Sequence, residues 1–413
     1  MKLAAPAAPG TLRCNLPGED TGSMRPWVIL AALTLGRVAV GYQLQTVAAL
    51  GTTLVPLFHL TYAEFGALIG AYMLLGVFVA LPFGILGRWL GDRLLTTVGF
   101  ALMVVGPIVC VWSNSAGSIA AGRVVAGVGG VGMIVLQGKI IADWFPGRRF
   151  MMAISIAVCG YPIGVDLAQL ILPPVSHAFG WPTGFVSGCV VPTVALVLFV
   201  GGFRRSPHVE ETPPHFALPS LHECLLLVIA GVMWTAYTAG FTGYLSYVPS
   251  TLAWRGATVT LTGLVVTIAT WGNIPATLFG GGLAERFGGS SVLVVGTLGL
   301  AIGAAGTALF HMPVVGAVLV GVIGSIHPGV IVALGTLSAR QEHRAVGMGI
   351  FYSLYYAGNT IGPALCGQTA DLYGGPAGGL LAAAVIALLA IPMYLLHQRL
   401  ARREVLPTVV AGK

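Results

Sequence analysis

What most constrains this chain is a succession of apolar runs, each about 20 residues or more, separated by short polar stretches. Coiled as a helix, such a run spans about 30 Å, the thickness of a bilayer's hydrocarbon core. Backbone groups in lipid must satisfy one another, so the choice lies between helices and closed barrels. Barrel strands alternate in polarity over about 10 residues, and these runs are continuous, so helices are expected. They fall at 26-49, 65-86, 94-113, 117-141, 151-175, 182-203, 224-248, 258-282, 290-310, 314-337, 345-367 and 376-397, which are spans 1 to 12. Only 8% of the residues are charged and 56% are hydrophobic, against about 25% charged in a soluble domain. An ordinary water-soluble enzyme is thereby excluded. Cys14, Cys110, Cys159, Cys189, Cys224 and Cys366 form no Cys-x-x-Cys pair and sit mostly in apolar text, so they read as small hydrophobic residues. No metal or other cofactor is expected.

Basic residues sort by membrane side. Of the 20 Lys and Arg, 17 fall in alternate loops, at the helix ends bordering them (Lys139) and in the tails, whereas the opposite loops hold Arg255. Arg37 and Arg123 lie within spans. This asymmetry places both termini in the cytoplasm and the chain in the cytoplasmic membrane. The formal charge of +7 forms no contiguous basic patch with interleaved aromatics, so nucleic acid is not a partner. The expected organisation is a disordered tail at 1-25, a six-span half at 26-203, a cytoplasmic linker at 204-223, a second half at 224-397 and a tail at 398-413. Met24, directly before Arg25, is a candidate initiator.

The two halves repeat each other. Gly84 and Gly281 open similar stretches after spans 2 and 8, 197 residues apart, and Gly160 and Gly358 open similar stretches in spans 5 and 11, 198 apart. Carrier folds are commonly built from such duplicated halves. Gly281-Gly282-Leu283-Ala284-Glu285-Arg286-Phe287-Gly288 resembles the loop signature of the major facilitator superfamily, and Arg123, Gly127 and Gly129 resemble its fourth-span signature. Asp143 through Arg149 is similar to that family's loop between spans 4 and 5. The text from Arg37 through Gly91 most resembles the cyanate and nitroimidazole transporters. The resemblance implies an all-α membrane protein of twelve transmembrane helices in two pseudo-symmetric six-helix bundles, self-sufficient as a monomer. It also implies gating roles for Gly84, Gly91, Glu285, Arg286 and their neighbours. One departure stands in the first loop. Arg88 occupies the family's acidic position and Asp92 its basic one, so the latch role passes to Asp92, or the segment is a plain solvated turn.

Charge inside a bilayer costs about 2.5 kcal/mol or more, which makes Arg37, Arg123 and Asp166 functional candidates. Their sum of +1 favours an anion, and a guanidinium fork matches a carboxylate. The structural alternative has Asp166 neutralising one arginine while the other binds helix-end carbonyls. Gly127 and Gly130 share a helical stripe with Arg123 and favour that alternative for it. Asp166 is also a candidate proton carrier. Gln45, about 80° from Arg37 around the helix, is expected to accompany it. Trp234, 197 residues after Arg37, is its repeat mate; packing is the competing role. Asn359 and His327 complete the polar set, with His327-Pro328 read as a kink in preference to a proton site.

A secondary transporter of a small, anionic solute, working by alternating access with protons as a candidate coupling ion, accounts for these features. A proton-coupled multidrug efflux pump is the alternative, though an acid in span 1 would suit it better than Arg37. An intramembrane transferase would need paired carboxylates or a His-Asp cluster, and Glu64 and Asp371 stand isolated. A non-transporting sensor is the last alternative. No phosphate-loop motif supports ATP-driven transport.

Overall fold

The computed structural model describes residues 25–79, 82, 90–145, 148–203, 218–340 and 343–401. Outside them lie Met24, Gly84, Arg88, most of the linker at 204-223 and most of both tails. All regular elements among the described residues are helical. The first half comprises α1 (Arg25–Ala49), α2 (Gly51–Leu57), α3 (Tyr62–Gly70), α4 (Asp92–Val111), α5 (Ala116–Trp144), α6 (Arg148–Phe179), α7 (Trp181–Ser187) and α8 (Val190–Gly202). The second comprises α9 (Leu221–Trp254), α10 (Val259–Phe287), α11 (Gly289–Leu309), α12 (Pro313–Val318), α13 (Pro328–Leu337), α14 (Arg344–Tyr373), α15 (Ala377–Leu388) and α16 (Ala390–Ala401).

Ten stretches are long and apolar enough to cross a membrane. The remaining two spans of the twelve begin at α3, whose continuation passes out of the described residues, and at α14. The latter is long enough, at 30 residues, but Tyr355, Asn359, Thr360, Gln368 and Asp371 interrupt its apolar text.

Local chemistry sets the helix ends. Thr61 with Glu64, Ser115 with Ser118, and Ser220 with Glu223 form capping boxes that open α3, α5 and α9, satisfying backbone N–H groups that the helix itself leaves bare. Gly91 and Gly288 precede α4 and α11 with φ of 84° each, a left-handed conformation that only glycine enters without strain. They lie 197 residues apart, so the repeat shows in the backbone as well as in the text. The tenth span is broken: α12 passes into a π-helical turn (Leu319–Ile323), the ladder lapses, and α13 restarts at Pro328. The bend at His327-Pro328 is therefore a true interruption, with Pro328 at a position where its missing N–H costs nothing.

Glycines set the closest approaches. A Cβ on Gly41 would strike the Tyr161 carbonyl and one on Gly164 the Val38 carbonyl, so α1 and α6 meet backbone to backbone. In the second half Gly358 lies against the Thr235 side chain and Gly362 against the Ala239 methyl, so α14 and α9 approach closely at the same repeat positions.

The halves meet along a seam of α3 on α14, α1 on α9 and α6 on α10. Gly66 and Gly70 bring α3 onto the carbonyls of Pro363 and Thr360. Tyr247 donates its hydroxyl to the carbonyls of Tyr62 and Pro363, both at 2.9 Å. Asp371 accepts the N–H groups of Tyr62 at 2.7 Å and Ala63 at 2.9 Å, and Glu64 serves the α3 cap. Neither carboxylate is isolated, in contrast to the sequence reading. These contacts gather at the end of the bundle away from the basic loops.

Candidate functional site

Arg37 sits midway along α1 and is partly exposed. Its Nε donates to Gln137 Oε1 at 2.8 Å, and Gln137 in turn donates Nε2 to the Leu33 carbonyl at 3.3 Å. That second bond turns the amide oxygen toward the guanidinium. The two terminal nitrogens of Arg37 have no acceptor among the described residues. The ionisable groups acting on its charge are phenols, those of Tyr355, Tyr356 and Tyr352 from α14 and of Tyr161 from α6. None of these four hydroxyls has a hydrogen-bond partner among the described residues. Both halves thus contribute donors to one locus at mid-membrane depth, and it contains no carboxylate.

Arg123 differs in kind. Its Nε donates to the Leu68 carbonyl at 2.6 Å, and its terminal nitrogens donate to the carbonyls of Gln43 at 3.0 Å, Ile69 at 3.1 Å and Leu44 at 3.4 Å. Tyr72 lies against it with the guanidinium 5.6 Å from the ring centroid. Four carbonyls from α1 and α3 occupy the fork, so Arg123 ties the first half together, as the structural alternative expected.

Gln45 is also displaced from its expected place. It donates to Gln169 Oε1 and to the Leu245 carbonyl, both at 3.3 Å, bridging α1, α6 and α9 in the seam. Eight residues at 1.5 Å put it about 12 Å from Arg37 along the axis, beyond reach despite the favourable angle. Gln137, which sequence reasoning passed over, is the true companion. Its only prior mark was an amide in the apolar text of span 4.

Asp166 makes no ion pair with Arg37 or Arg123. Its Oδ1 accepts from the Thr270 hydroxyl of α10 at 2.8 Å, with Trp271 and Thr267 of the same helix beside it. Oδ2 is buried without a partner at hydrogen-bonding geometry. The carboxylate therefore crosses the seam between the halves.

In the second half Trp234 rests against Phe351, with ring centroids 6.1 Å apart, and against Tyr355, at 6.4 Å. Asn359 accepts from Thr242 at 2.8 Å and donates to Thr238 and to the Tyr355 carbonyl; it holds α14 on α9 and is saturated by doing so. His327 is 1% exposed, edge-on to Tyr237 at 4.8 Å, and neither ring nitrogen has a partner at hydrogen-bonding geometry. In the loops, Asp92 pairs with Lys139 of α5 at 2.9 Å. Gly281, Glu285, Arg286 and Gly288 are exposed, and Arg286 lies over Phe287.

Twelve membrane helices in two repeated halves, joined around a half-satisfied cation, define a solute-carrier architecture. The chain belongs to the Major Facilitator Superfamily, whose model matches residues 33–255 and again 224–410. It is 25% identical over 195 residues to the riboflavin transporter RibZ of Clostridioides difficile, covering 47% of this chain and 42% of that protein. To the hexuronate transporter of Escherichia coli it is 27% identical over 198 residues, covering 45% and 44%. The chain thus matches less than half the length of either relative. A bacterial homologue of the human lysosomal transporter Spinster, in an inward-facing and occupied conformation, superposes with a TM-score of 0.73 at 17% identity, covering 94% of this chain and all of that one. Fold and relatives are those of transporters, not of enzymes.

Proposed function

We propose that the protein is a secondary transporter that carries a small organic anion across the cytoplasmic membrane by alternating access, with Arg37 as the group that holds the anion. The observation that carries this reading is a pair of guanidinium nitrogens without an acceptor among the described residues, in the electrostatic neighbourhood of four phenols drawn from both halves. A charge left half-satisfied in a bilayer is costly, and an anion shared between the halves offsets that cost while linking their movements. The relative named for hexuronate, an acid, agrees with it. The resemblance of residues 37 to 91 to cyanate and nitroimidazole carriers favours a small solute.

Asp166 is the proposed proton-coupling group, because protonation would change a carboxylate that touches both halves. Both termini are placed in the cytoplasm by the basic loops, and a monomer suffices for the cycle. A drug-efflux pump is less well supported, since the mid-depth charge is a cation. Uptake into proteoliposomes, measured for a panel of small organic anions with and without an imposed pH gradient, tests the reading. Anion uptake is expected in the wild type and none with Arg37→Ala. Transport of neutral compounds only, unaffected by that substitution, would overturn it.

A further inference from the structure

We infer that the solute is an aromatic carboxylate, its carboxylate on Arg37 and its ring against Trp234 and Tyr355; this rests on Arg37 being the anion-holding group. Trp234, Tyr237 and Phe241 follow one face of α9 at helical spacing, over about 10 Å. Their rings form one run: Tyr237 stacks on Phe241 at 6.1 Å, and Trp234 lies 5.7 Å from Tyr237. From Trp234 the run crosses to α14 through Phe351 and Tyr355. Tyr355 then contacts Tyr356 at 5.0 Å and Tyr352 at 6.4 Å, and all three phenols are near enough to Arg37 to bear on it electrostatically. The aromatic run therefore ends at the cation. Phe351 and Tyr237 are buried, whereas Trp234, Phe241 and Tyr355 are partly exposed, so ring faces remain for another ring.

The side-chain amides argue against a sugar acid, leaving only phenol hydroxyls and the guanidinium as directional groups. A polyhydroxylated solute needs several convergent directional groups. Gln43 is spent on the carbonyls of Met103 and Gly188, Gln45 on Gln169 and Leu245, and Gln137 on Arg37 and Leu33. Asn273 donates to Tyr237 and Ser325, and Asn359 is saturated. The groups left near the cation are aromatic rings and unpartnered phenols.

The test is equilibrium binding to the purified full-length protein in lipid nanodiscs, using benzoate, cyclohexanecarboxylate, acetate, a hexuronate and neutral benzamide. The wild type is expected to prefer benzoate to cyclohexanecarboxylate by about tenfold, since stacking adds to simple burial, and to prefer it to the remaining compounds by at least as much. Trp234→Leu should erase the preference between the two ring acids, and Trp234→Phe should keep it. Equal affinity for those two acids in the wild type, tighter binding of the hexuronate, or no benzoate binding at millimolar concentration each overturn the inference. If Arg37→Ala still abolishes binding of whichever acids do bind, the anion reading survives that failure. Benzamide bound as tightly as benzoate, with Arg37→Ala without effect, overturns both.

Discussion

Two arginines that look alike in the sequence differ at the level of single hydrogen bonds, and opposite outcomes follow for them. Arg123 is buried and gives its donors to four carbonyls of α1 and α3, so Arg123→Ala is expected to cost about 3 kcal/mol or more in stability. The measurement is thermal unfolding of the purified protein, which should show a melting point lowered by several degrees. Arg37 has only Gln137 to lose, so Arg37→Ala should unfold within a few degrees of the wild type. Gln137→Leu removes the acceptor that orients the guanidinium. Affinity for the transported anion should then fall by about tenfold or more, as expected when a hydrogen bond to a charged group is lost, and titration calorimetry checks it. The sequence showed that both arginines lie in the membrane and that glycines flank Arg123. It did not show which carbonyls or amides surround them, because a helical wheel orders residues around one axis and says nothing of the neighbouring helix. Gln45 was attractive on angle alone, and the rise along the helix separates it from Arg37.

Among the elements, the repeated glycines of α6 and α14 are legible in the text and have one physical cause in both halves. At Gly164 and Gly362 the partner helix passes where a side chain would begin. Gly164→Val and Gly362→Val should each destabilise the protein by about 1–3 kcal/mol through overpacking, with a loss of monodispersity on gel filtration as the readout. Asp371 belongs to this scale as well. Its carboxylate caps α3 from the opposite half, where helix N-termini favour negative charge by about 0.3–1 kcal/mol. Asp371→Ala should loosen the seam, so that a cysteine placed at Ser250, buried in α9 against Gly51 of α2, reacts several-fold faster with a membrane-impermeant thiol reagent. An unchanged rate would remove Asp371 from the closure. The sequence had no means of pairing residues as distant as 62 and 371, so Asp371 looked solitary, whereas the partner of Glu64 is Thr61 three residues away, a capping pattern the text does carry.

For the whole molecule, hydropathy sufficed to give the twelve spans, and the 197-residue offset gave the duplicated halves. The break in the tenth span was legible from His327-Pro328, but the π-helical turn before it was not, since its cause lies in the packing of Gly321 and Gly324 against α10 and α11. Nor was the seam's side legible. Its contacts concentrate at the end opposite the basic loops, so the proposed alternating-access cycle would have to open the Asp371, Tyr247 and Asp166 contacts. If Asp166 couples protons to that opening, Asp166→Asn should abolish uptake driven by a pH gradient while leaving solute counterflow intact, a difference read in the same proteoliposomes. The central claim is that Arg37 holds an anion between the two halves. Equilibrium binding of the transported solute to wild type, Arg37→Lys and Arg37→Ala tests it most directly. The account predicts weakening of about tenfold or more for lysine, which keeps the charge but loses the fork, and loss of measurable binding for alanine. Equal affinity in all three proteins would contradict it.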